Sequence, residues 1–349
     1  MDWTTEVAAP PEASQQGGNA AADDTKGEVP PLDDRMTSTC CGPIRRWYDI
    51  NRCEWVFVVV SLLVLLLSLG FTIKDLKQLP CNCDDFMLEI VILITILMAM
   101  YHVIASVVRP HPSESAVFIL SVLLLLSYSA ISYVNDPNDT EDLVRLILNG
   151  AFQPFCIILS IYAHVKYSPY ARYIHRINAN ERVQRRLHCY FTCRSLIVLN
   201  VQIRLSMVAF IAATPRFGYT LLDWIPVGTA LGFSFVWVIC GLWGMKAENR
   251  CMVVVFLICS LFHFGYDIFR LYEVFNTRLT KMYIIAASMC AGVGITLTVV
   301  TNALMIIIWQ NFEKGVTELL YLSSRRVQGR TLLINEASPP DSCDTSGSA

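Results

Sequence analysis

Eight long apolar runs, separated by short polar segments, form the dominant pattern along the chain. A bilayer core about 30 Å thick requires roughly 20 apolar residues in an α-helix, and each run is near that length. The pattern therefore predicts an all-α fold, a polytopic membrane helix bundle with about eight transmembrane helices. The predicted spans are Trp55–Thr72, Phe86–Val108, Ala116–Val134, Leu143–Val165, Arg194–Ala213, Leu222–Gly244, Met252–Phe269 and Tyr283–Trp309.

The polar segments divide the chain into five parts. Residues 1–44 are predicted to be a disordered cytosolic tail and residues 313–349 a mostly disordered one, because they have too few apolar side chains to offset the entropy of folding. Residues 45–165 carry helices one to four, and residues 194–312 carry helices five to eight. Residues 166–193 form a basic cytosolic linker, whose interleaved basic and apolar positions predict a helix on the anionic lipid surface.

The composition supports the membrane class. Hydrophobic residues make up 54% of the chain and charged residues only 16%, a balance unlike that of soluble domains. No ATP-binding loop is present, so any transport would be passive or driven by a gradient. We expect the lipid bilayer as the main partner, and we expect neither nucleic acid nor a cofactor to bind. The expected location is the plasma membrane or an endomembrane, and the oligomeric state is left open.

The distribution of Lys and Arg predicts the orientation, because these residues are enriched in cytosolic loops. With both termini in the cytosol, the cytosolic flanks of the helices hold 17 Lys and Arg residues and the opposite flanks hold 6. A rival model leaves out the fifth helix because it contains Arg204, and this model gives 15 against 8. The eight-helix model with two cytosolic termini is therefore preferred.

The fifth predicted helix contains Asn200, Gln202 and Arg204 within an apolar run. At about 100° per residue, Asn200 and Arg204 stand about 40° apart on one face, whereas Gln202 falls on roughly the opposite face. A central Arg costs roughly 2.5 to 3.5 kcal/mol on insertion into the bilayer, so this helix is marginal alone. We expect it in the bundle interior, with Arg204 paired to an acid or to carbonyl groups.

The seventh predicted helix supplies a counterpart. His263, Asp267 and Arg270 follow i, i+4, i+7 spacing and so share one face of the helix. Asp267 is the best intramembrane acid for Arg204. Three interpretations remain open: a structural ion pair with Arg204, use of that pair in a substrate or proton path, and local pairing of Asp267 with Arg270.

Other candidate positions are modification sites. Asn138 begins a glycosylation sequon in a short loop. Cys40 and Cys41, which precede two arginines, resemble a juxtamembrane palmitoylation site. A metal-dependent lipid hydrolase could be built from His263 and Asp267 with His102, but zinc needs three strong protein ligands and no third helix offers a convincing one. We therefore expect no metal site and no catalytic residue.

Two short stretches carry a resemblance to a known family. They are SLIVLNVQ at Ser195–Gln202, preceded by the basic linker, and NFEKGV at Asn311–Val316, after the last helix. They resemble an uncharacterised family of animal multi-pass membrane proteins. The resemblance implies an all-helical membrane protein and supplies no activity. The usual acid of the first motif is replaced here by Asn200, which argues against a proton-linked role at that position.

These patterns indicate an architecture more clearly than an activity. The favoured interpretation is a multi-pass integral membrane protein of unknown ligand, either transporter-like or a membrane scaffold. The alternatives are a seven-helix receptor-like protein and an intramembrane lipid-modifying enzyme. The receptor is disfavoured by the predicted cytosolic N-terminus and by the absence of its usual Asn-Pro-x-x-Tyr sequence near the last helix. The enzyme is disfavoured by the incomplete ligand set.

Overall fold

The chain folds into eight long helices and one short hairpin within the residues that the structure describes. The computed structural model describes residues 36–39, 42–45, 50–78, 84–109, 111–135, 137–138, 140–167, 181–212, 221–276 and 281–312. The helices are α1 Arg52–Gln78, α2 Asp84–Val108, α3 Pro112–Asn135, α4 Thr140–Tyr167, α5 Glu181–Ala212, α6 Leu221–Ala247, α7 Arg250–Asn276 and α8 Lys281–Gln310. The strands β1 Met36–Thr39 and β2 Gly42–Arg45 pair antiparallel, with Met36 opposite Arg45 and Thr39 opposite Gly42.

All eight helices are long and apolar enough to cross a membrane. The predicted all-α class, with about eight membrane helices, is therefore confirmed, and the β1–β2 hairpin lies ahead of the first helix. Several helices extend beyond their apolar runs. The first was expected to end at Thr72 but α1 continues to Gln78, and the fourth was expected to begin at Leu143 but α4 begins at Thr140. These additional turns bring Asp75 and Asp142 into the helices.

Asparagine residues start two of the helices. The Asn51 N–H donates to the Glu54 carboxylate over 2.9 Å, as in the capping box at a helix N-terminus. At the start of α7, the N–H of Cys251 donates to the Asn249 side chain over 3.0 Å. Glu248, just before this cap, has a φ of 48°, and this left-handed residue ends α6 and allows the sharp reversal into α7.

The helices form two four-helix bundles. In the N-terminal bundle, α1 and α3 each pack against both α2 and α4. In the C-terminal bundle, α5 and α7 each pack against both α6 and α8. The bundles join where α2 and α3 contact α5 and where α3 contacts α8. One apolar core runs across this junction and includes Ile92 and Leu125 from the first bundle and Leu199 and Ile203 from the second.

Helix α5 is the most deeply buried of the eight. It runs without interruption from Glu181 to Ala212, so the second half of the predicted basic linker, residues 181–193, forms its first turns. At this end of α5 the Ser195 hydroxyl lies 2.9 Å from the Ser113 hydroxyl of α3. The rival seven-helix model omitted this helix, yet it is the one that holds the two bundles together.

Candidate functional site

Arg204 lies at the centre of the C-terminal bundle. Its Nη1 donates to the Asp267 carboxylate of α7 over 2.5 Å, and its Nη2 donates to the Thr298 hydroxyl of α8 over 2.6 Å. Arg204 is 5% exposed and Asp267 is 1% exposed. The ion pair is therefore enclosed by protein and joins three helices, α5, α7 and α8.

The other polar residues of α5 are also joined to neighbouring helices. Asn200 donates from its amide to the Thr301 hydroxyl over 3.1 Å and accepts from the Thr298 hydroxyl over 3.4 Å. On the opposite face, Gln202 accepts a hydrogen bond of 2.9 Å from Ser121 of α3. We name five residues of the C-terminal bundle the Arg204 cluster: Asn200, Arg204, Asp267, Thr298 and Thr301.

The remaining sequence candidates on α7 lie outside this cluster. The Arg270 guanidinium donates to Glu273, one turn further along α7, and lies 5.3 Å from the centre of the Tyr266 ring. His263 lies one turn before Asp267, with its ring edge-on to Trp237 at 5.9 Å. Asp267 thus pairs with Arg204 and not locally with Arg270. His102 is buried on α2, and in the described part of the chain it does not form a ligand group with His263 and Asp267.

A second buried arginine, Arg145 of α4, lies within the N-terminal bundle and escaped the sequence analysis. Its side chain is fully buried. It donates to Glu89 of α2 through both Nη atoms, over 2.5 and 2.6 Å, and it also donates to Asp142, one turn earlier on α4. Asp75 of α1 accepts from the same guanidinium over 3.4 Å. Three carboxylates therefore surround one cation.

Hydroxyl groups from two more positions complete this cluster. Arg145 donates to Thr72 of α1 over 3.3 Å and to Ser132 of α3 over 3.2 Å, and Ser132 donates to Asp142 over 2.8 Å. Every helix of the N-terminal bundle thus contributes a side chain at the end where α1 and α3 finish and α2 and α4 begin, here named the acidic end. The Arg145 cluster comprises Thr72, Asp75, Glu89, Ser132, Asp142 and Arg145.

The charges of the Arg145 cluster do not balance. Asp75, Glu89 and Asp142 are each at least nine-tenths buried, and their nearest ligand oxygens all lie within 4.8 Å of one another. Among the described residues, these acids form the group whose spacing could hold a metal ion. Like charges this close raise each other's energy in a medium of low dielectric constant. One guanidinium neutralises only one of the three.

A row of buried polar residues continues from the cluster along α4. Asn149 donates to Ser129 of α3 over 3.0 Å and to Ser68 of α1 over 3.4 Å, which places it between three helices. Gln153 follows one turn after Asn149, and Ser160 follows two turns after Gln153; each is 2% exposed. We define the α4 row as five residues: Asp142, Arg145, Asn149, Gln153 and Ser160. At about 100° per residue around the helix axis, these five positions fall within an arc of roughly 80°.

Several atoms of the α4 row have no hydrogen-bond partner. They are Nε of Arg145, Oδ1 of Asn149, both amide atoms of Gln153 and the Ser160 hydroxyl. Single buried atoms without a partner also occur elsewhere, such as Nε2 of His263 and Nε2 of Gln202. On α4 they follow one another from Arg145 to Ser160 along a single helix face, and a shorter series occurs on α7 at His263, Tyr266 and Arg270. Buried polar groups that lack protein partners are commonly satisfied by water.

The sequence contains a signal for this row in the spacing of its polar residues. The run predicted as the fourth helix includes Arg145, Asn149 and Gln153 at spacings of four residues. A stripe of polar residues at helical spacing within an apolar run predicts a face turned toward a polar interior. Glu89 lay within the second predicted span, but Asp75 and Asp142 lay outside the predicted spans, so a group of three acids around this arginine was not visible.

The predicted modification sites remain predictions. Asn138 is exposed in the turn between α3 and α4, as a glycosylation acceptor would have to be. Cys40 and Cys41 lie outside the described residues. The first half of the basic linker, from residue 168 to residue 180, lies outside them as well, so binding of anionic lipid there also stays a prediction.

Comparison with known proteins gives a family without an activity. The model of a family described as a domain of unknown function, DUF7789, matches residues 41–165 and 177–310. The first matched stretch contains α1 to α3 and almost all of α4, and the second contains α5 to α8. The two stretches thus correspond to the two bundles. No curated protein and no solved structure matches the chain.

Proposed function

The chain belongs to the DUF7789 family, whose function is unknown, and we propose that it is a transporter-like membrane protein whose N-terminal bundle provides a polar path for small cations. The observation that carries this proposal is the α4 row. It extends from the Arg145 cluster along the inner face of α4 and includes amide groups with unsatisfied hydrogen-bonding atoms.

The energetics of the row favour a path over simple packing. A buried polar group without a partner costs roughly 1 to 3 kcal/mol, so Gln153 alone is an expensive way to fill the interior of a bundle. Leucine would fill a similar volume without that cost. Water reaching the Gln153 amide would remove the penalty, and a row of hydrated groups is the means by which membrane proteins admit ions.

The backbone of α4 supports the same interpretation. Pro154 lies inside the helix, directly after Gln153, and has no N–H to donate to the carbonyl of Gly150. Such prolines are tolerated in membrane helices where neighbouring groups or ordered waters satisfy the freed carbonyl. The freed carbonyl adds a further hydrogen-bond acceptor to α4 near the α4 row.

Transport accounts for these features better than the alternatives do. The acids that could ligate a metal already hold the Arg145 guanidinium, whereas a hydrolytic metal site requires an open coordination position. A seven-helix receptor does not account for the eighth membrane-type helix. Without a nucleotide-binding loop, movement through the path would be passive or driven by a gradient.

Flux measurements on the purified protein in proteoliposomes test the proposal. Proton, Na⁺, K⁺ and Ca²⁺ gradients are imposed in turn, and the flux of each ion is followed with a trapped indicator. We expect flux of at least one cation above that of empty vesicles. Replacing Asn149 and Gln153 together by Leu should reduce it by about tenfold or more, since an apolar constriction excludes water.

The matched control is Gln202→Leu, which removes a buried amide of similar size from α5, outside the path. Its flux should equal that of the wild type. Flux no greater than in empty vesicles for all four ions, or unchanged flux in the Asn149→Leu, Gln153→Leu variant, would reject the transporter proposal.

The orientation of the path follows from the predicted topology. With both termini in the cytosol, the acidic end of the N-terminal bundle faces the outside of the cell or the lumen of an organelle. Epitope tags at each terminus, probed in intact and permeabilised cells, test this orientation. A C-terminal tag that antibody reaches in intact cells would contradict it.

A further inference from the structure

We propose that the Arg145 cluster is a proton-binding site and that the polar path carries protons. This inference deepens the proposed function and rests on it, because it names the ion and the site at which the ion first binds. Three features of the cluster support this site: its charge balance, the position of Arg145 within it, and the unsatisfied atoms beside it.

The charge balance requires additional positive charge. Three carboxylates, those of Asp75, Glu89 and Asp142, face one guanidinium, that of Arg145, which leaves a formal charge of −2. Glu141 lies near Asp75 and forms its own ion pair with Lys74 at the surface. Uncompensated charge costs several kcal/mol per ion away from water. Protons or a bound cation must therefore reduce this charge.

The geometry favours protons over a metal ion. Arg145 donates to all three carboxylates from the middle of the group, so a metal ion held by the same oxygens would lie close to the guanidinium charge. A proton on a carboxylate oxygen needs no such position.

The acids of the cluster differ in their hold on Arg145. Glu89 accepts two hydrogen bonds of 2.5 and 2.6 Å in the bidentate arrangement typical of a stable Arg–carboxylate pair. Asp75 accepts a single hydrogen bond of 3.4 Å and lies nearer the helix end, beside Glu141. Glu89 therefore stays ionised beside Arg145, and Asp75 is the acid that gains and loses a proton.

Unsatisfied atoms next to the acids provide the second, independent observation. Nε of Arg145 is a donor without an acceptor, and Oδ1 of Asn149, one turn further on the same face, is an acceptor without a donor. Water molecules that reach these atoms would satisfy them, and the same holds for the Gln153 amide. In the uptake step a hydronium ion transfers one proton to a carboxylate oxygen, forming a carboxyl group and water, and the release step is the reverse, with no change in oxidation state.

The test is proton uptake into proteoliposomes that contain a trapped pH indicator, with valinomycin and K⁺ to balance charge. We expect wild-type uptake to fall by about tenfold or more in Asp75→Asn, because the amide cannot exchange a proton. The matched control is Asp85→Asn at the same end of the bundle, where Asp85 is exposed and accepts from Asn135. This control should retain wild-type uptake.

The outcomes separate the inference from the proposed function. Uptake in Asp75→Asn equal to that of the wild type overturns the proton site. Flux of Na⁺ or Ca²⁺ without proton flux, abolished by Asp75→Asn, also overturns it but leaves the polar path standing. Absence of any cation flux rejects the path itself.

Infrared spectra of the wild-type protein keep the inference testable if Asp75→Asn fails to fold. We expect a carbonyl band from a protonated carboxyl group at neutral pH that shifts in deuterium oxide and disappears on strong alkalinisation. A wild-type spectrum without such a band at neutral pH would overturn the proton site.

Discussion

Arg145 and Arg204 are buried in different four-helix bundles, and they differ in the number of acids around them. Arg204 has one acid, Asp267, and it also donates to the Thr298 hydroxyl. Arg145 has three acids, Asp75, Glu89 and Asp142, and continues into a row of polar residues with unsatisfied atoms. A buried arginine is therefore fully paired with one acid in the C-terminal bundle, whereas in the N-terminal bundle the acids outnumber it.

The difference shows which property of a buried charge indicates function. Both arginines are costly in a membrane, and both are paired. In the Arg204 cluster no buried side-chain atom lacks a partner, which is what a structural contact between helices requires. In the Arg145 cluster the surplus of acids remains after pairing. It is this surplus, and not burial alone, that points to an exchangeable ion.

The largest expected effect is that of Arg145→Leu. Removal of the cation leaves three buried carboxylates without a counter-charge, and breaking a buried pair in this way costs roughly 3 to 5 kcal/mol. We expect little folded protein, measured as the monodisperse fraction in detergent and as the thermal unfolding midpoint. Adding Glu89→Leu should restore folding only in part, because Asp142 keeps its negative charge even where Asp75 holds a proton. Full restoration by this second change would show that Asp142 is protonated as well.

Arg204→Leu should have a smaller effect that a second substitution reverses. It leaves a single buried carboxylate, Asp267, so we expect a loss of about 3 kcal/mol in the free energy of unfolding. The double variant with Asp267→Leu should return to within about 1 kcal/mol of the wild type, since apolar residues often replace a buried ion pair without loss. Unfolding in detergent measures both. A double variant as unstable as Arg204→Leu would contradict the structural role.

The sequence predicted the helices and one of these two clusters, for different physical reasons. The eight helices were predictable because each must present a long apolar surface to lipid. The neighbours of α5 were partly predictable because Arg204 is the charged residue in the middle of its apolar run and Asp267 is the acid at a similar depth on another helix. The same reasoning placed Gln202 on the face opposite Arg204, where it accepts a hydrogen bond from Ser121.

The Arg145 cluster was not predictable by that reasoning because two of its three acids come from the ends of helices, although the third, Glu89, lies within the second predicted span. Asp75 and Asp142 lie in turns that the apolar runs do not include, where charged residues are ordinarily exposed to water. Their burial depends on how the four helix ends converge, which is a property of tertiary packing. The boundaries of α1, α4 and α5 were missed for a related reason, because a helix continues through polar residues once its hydrogen-bonded turns have begun.

Gln153→Leu should distinguish the path from ordinary packing. Because water in the path would satisfy the Gln153 amide, its replacement by Leu should lower cation flux while it leaves the free energy of unfolding within about 1 kcal/mol of the wild type. Asn200→Leu in the Arg204 cluster should lower the free energy of unfolding by about 1 to 2 kcal/mol, because the hydrogen bonds to Thr298 and Thr301 are lost. Unfolding and flux are measured on the same preparations. Destabilisation by Gln153→Leu would indicate that this residue is held by packing contacts after all.

The smallest expected effect concerns the close packing around the Arg204 cluster. A Cβ added at Gly294 of α8 would lie 3.0 Å from the Ile203 side chain and 3.7 Å from the Asp267 carboxylate. Gly294→Ala should therefore lower the free energy of unfolding by about 1 kcal/mol through overpacking. Gly292→Ala is the matched control, since its added methyl group meets nothing within 4 Å. The control should be neutral or stabilising by up to about 1 kcal/mol, the gain in helix propensity. Equal stability of the two variants, measured by thermal unfolding, would mean that α5 and α8 are free to separate and that the Arg204 cluster is not the closed contact inferred from its hydrogen bonds.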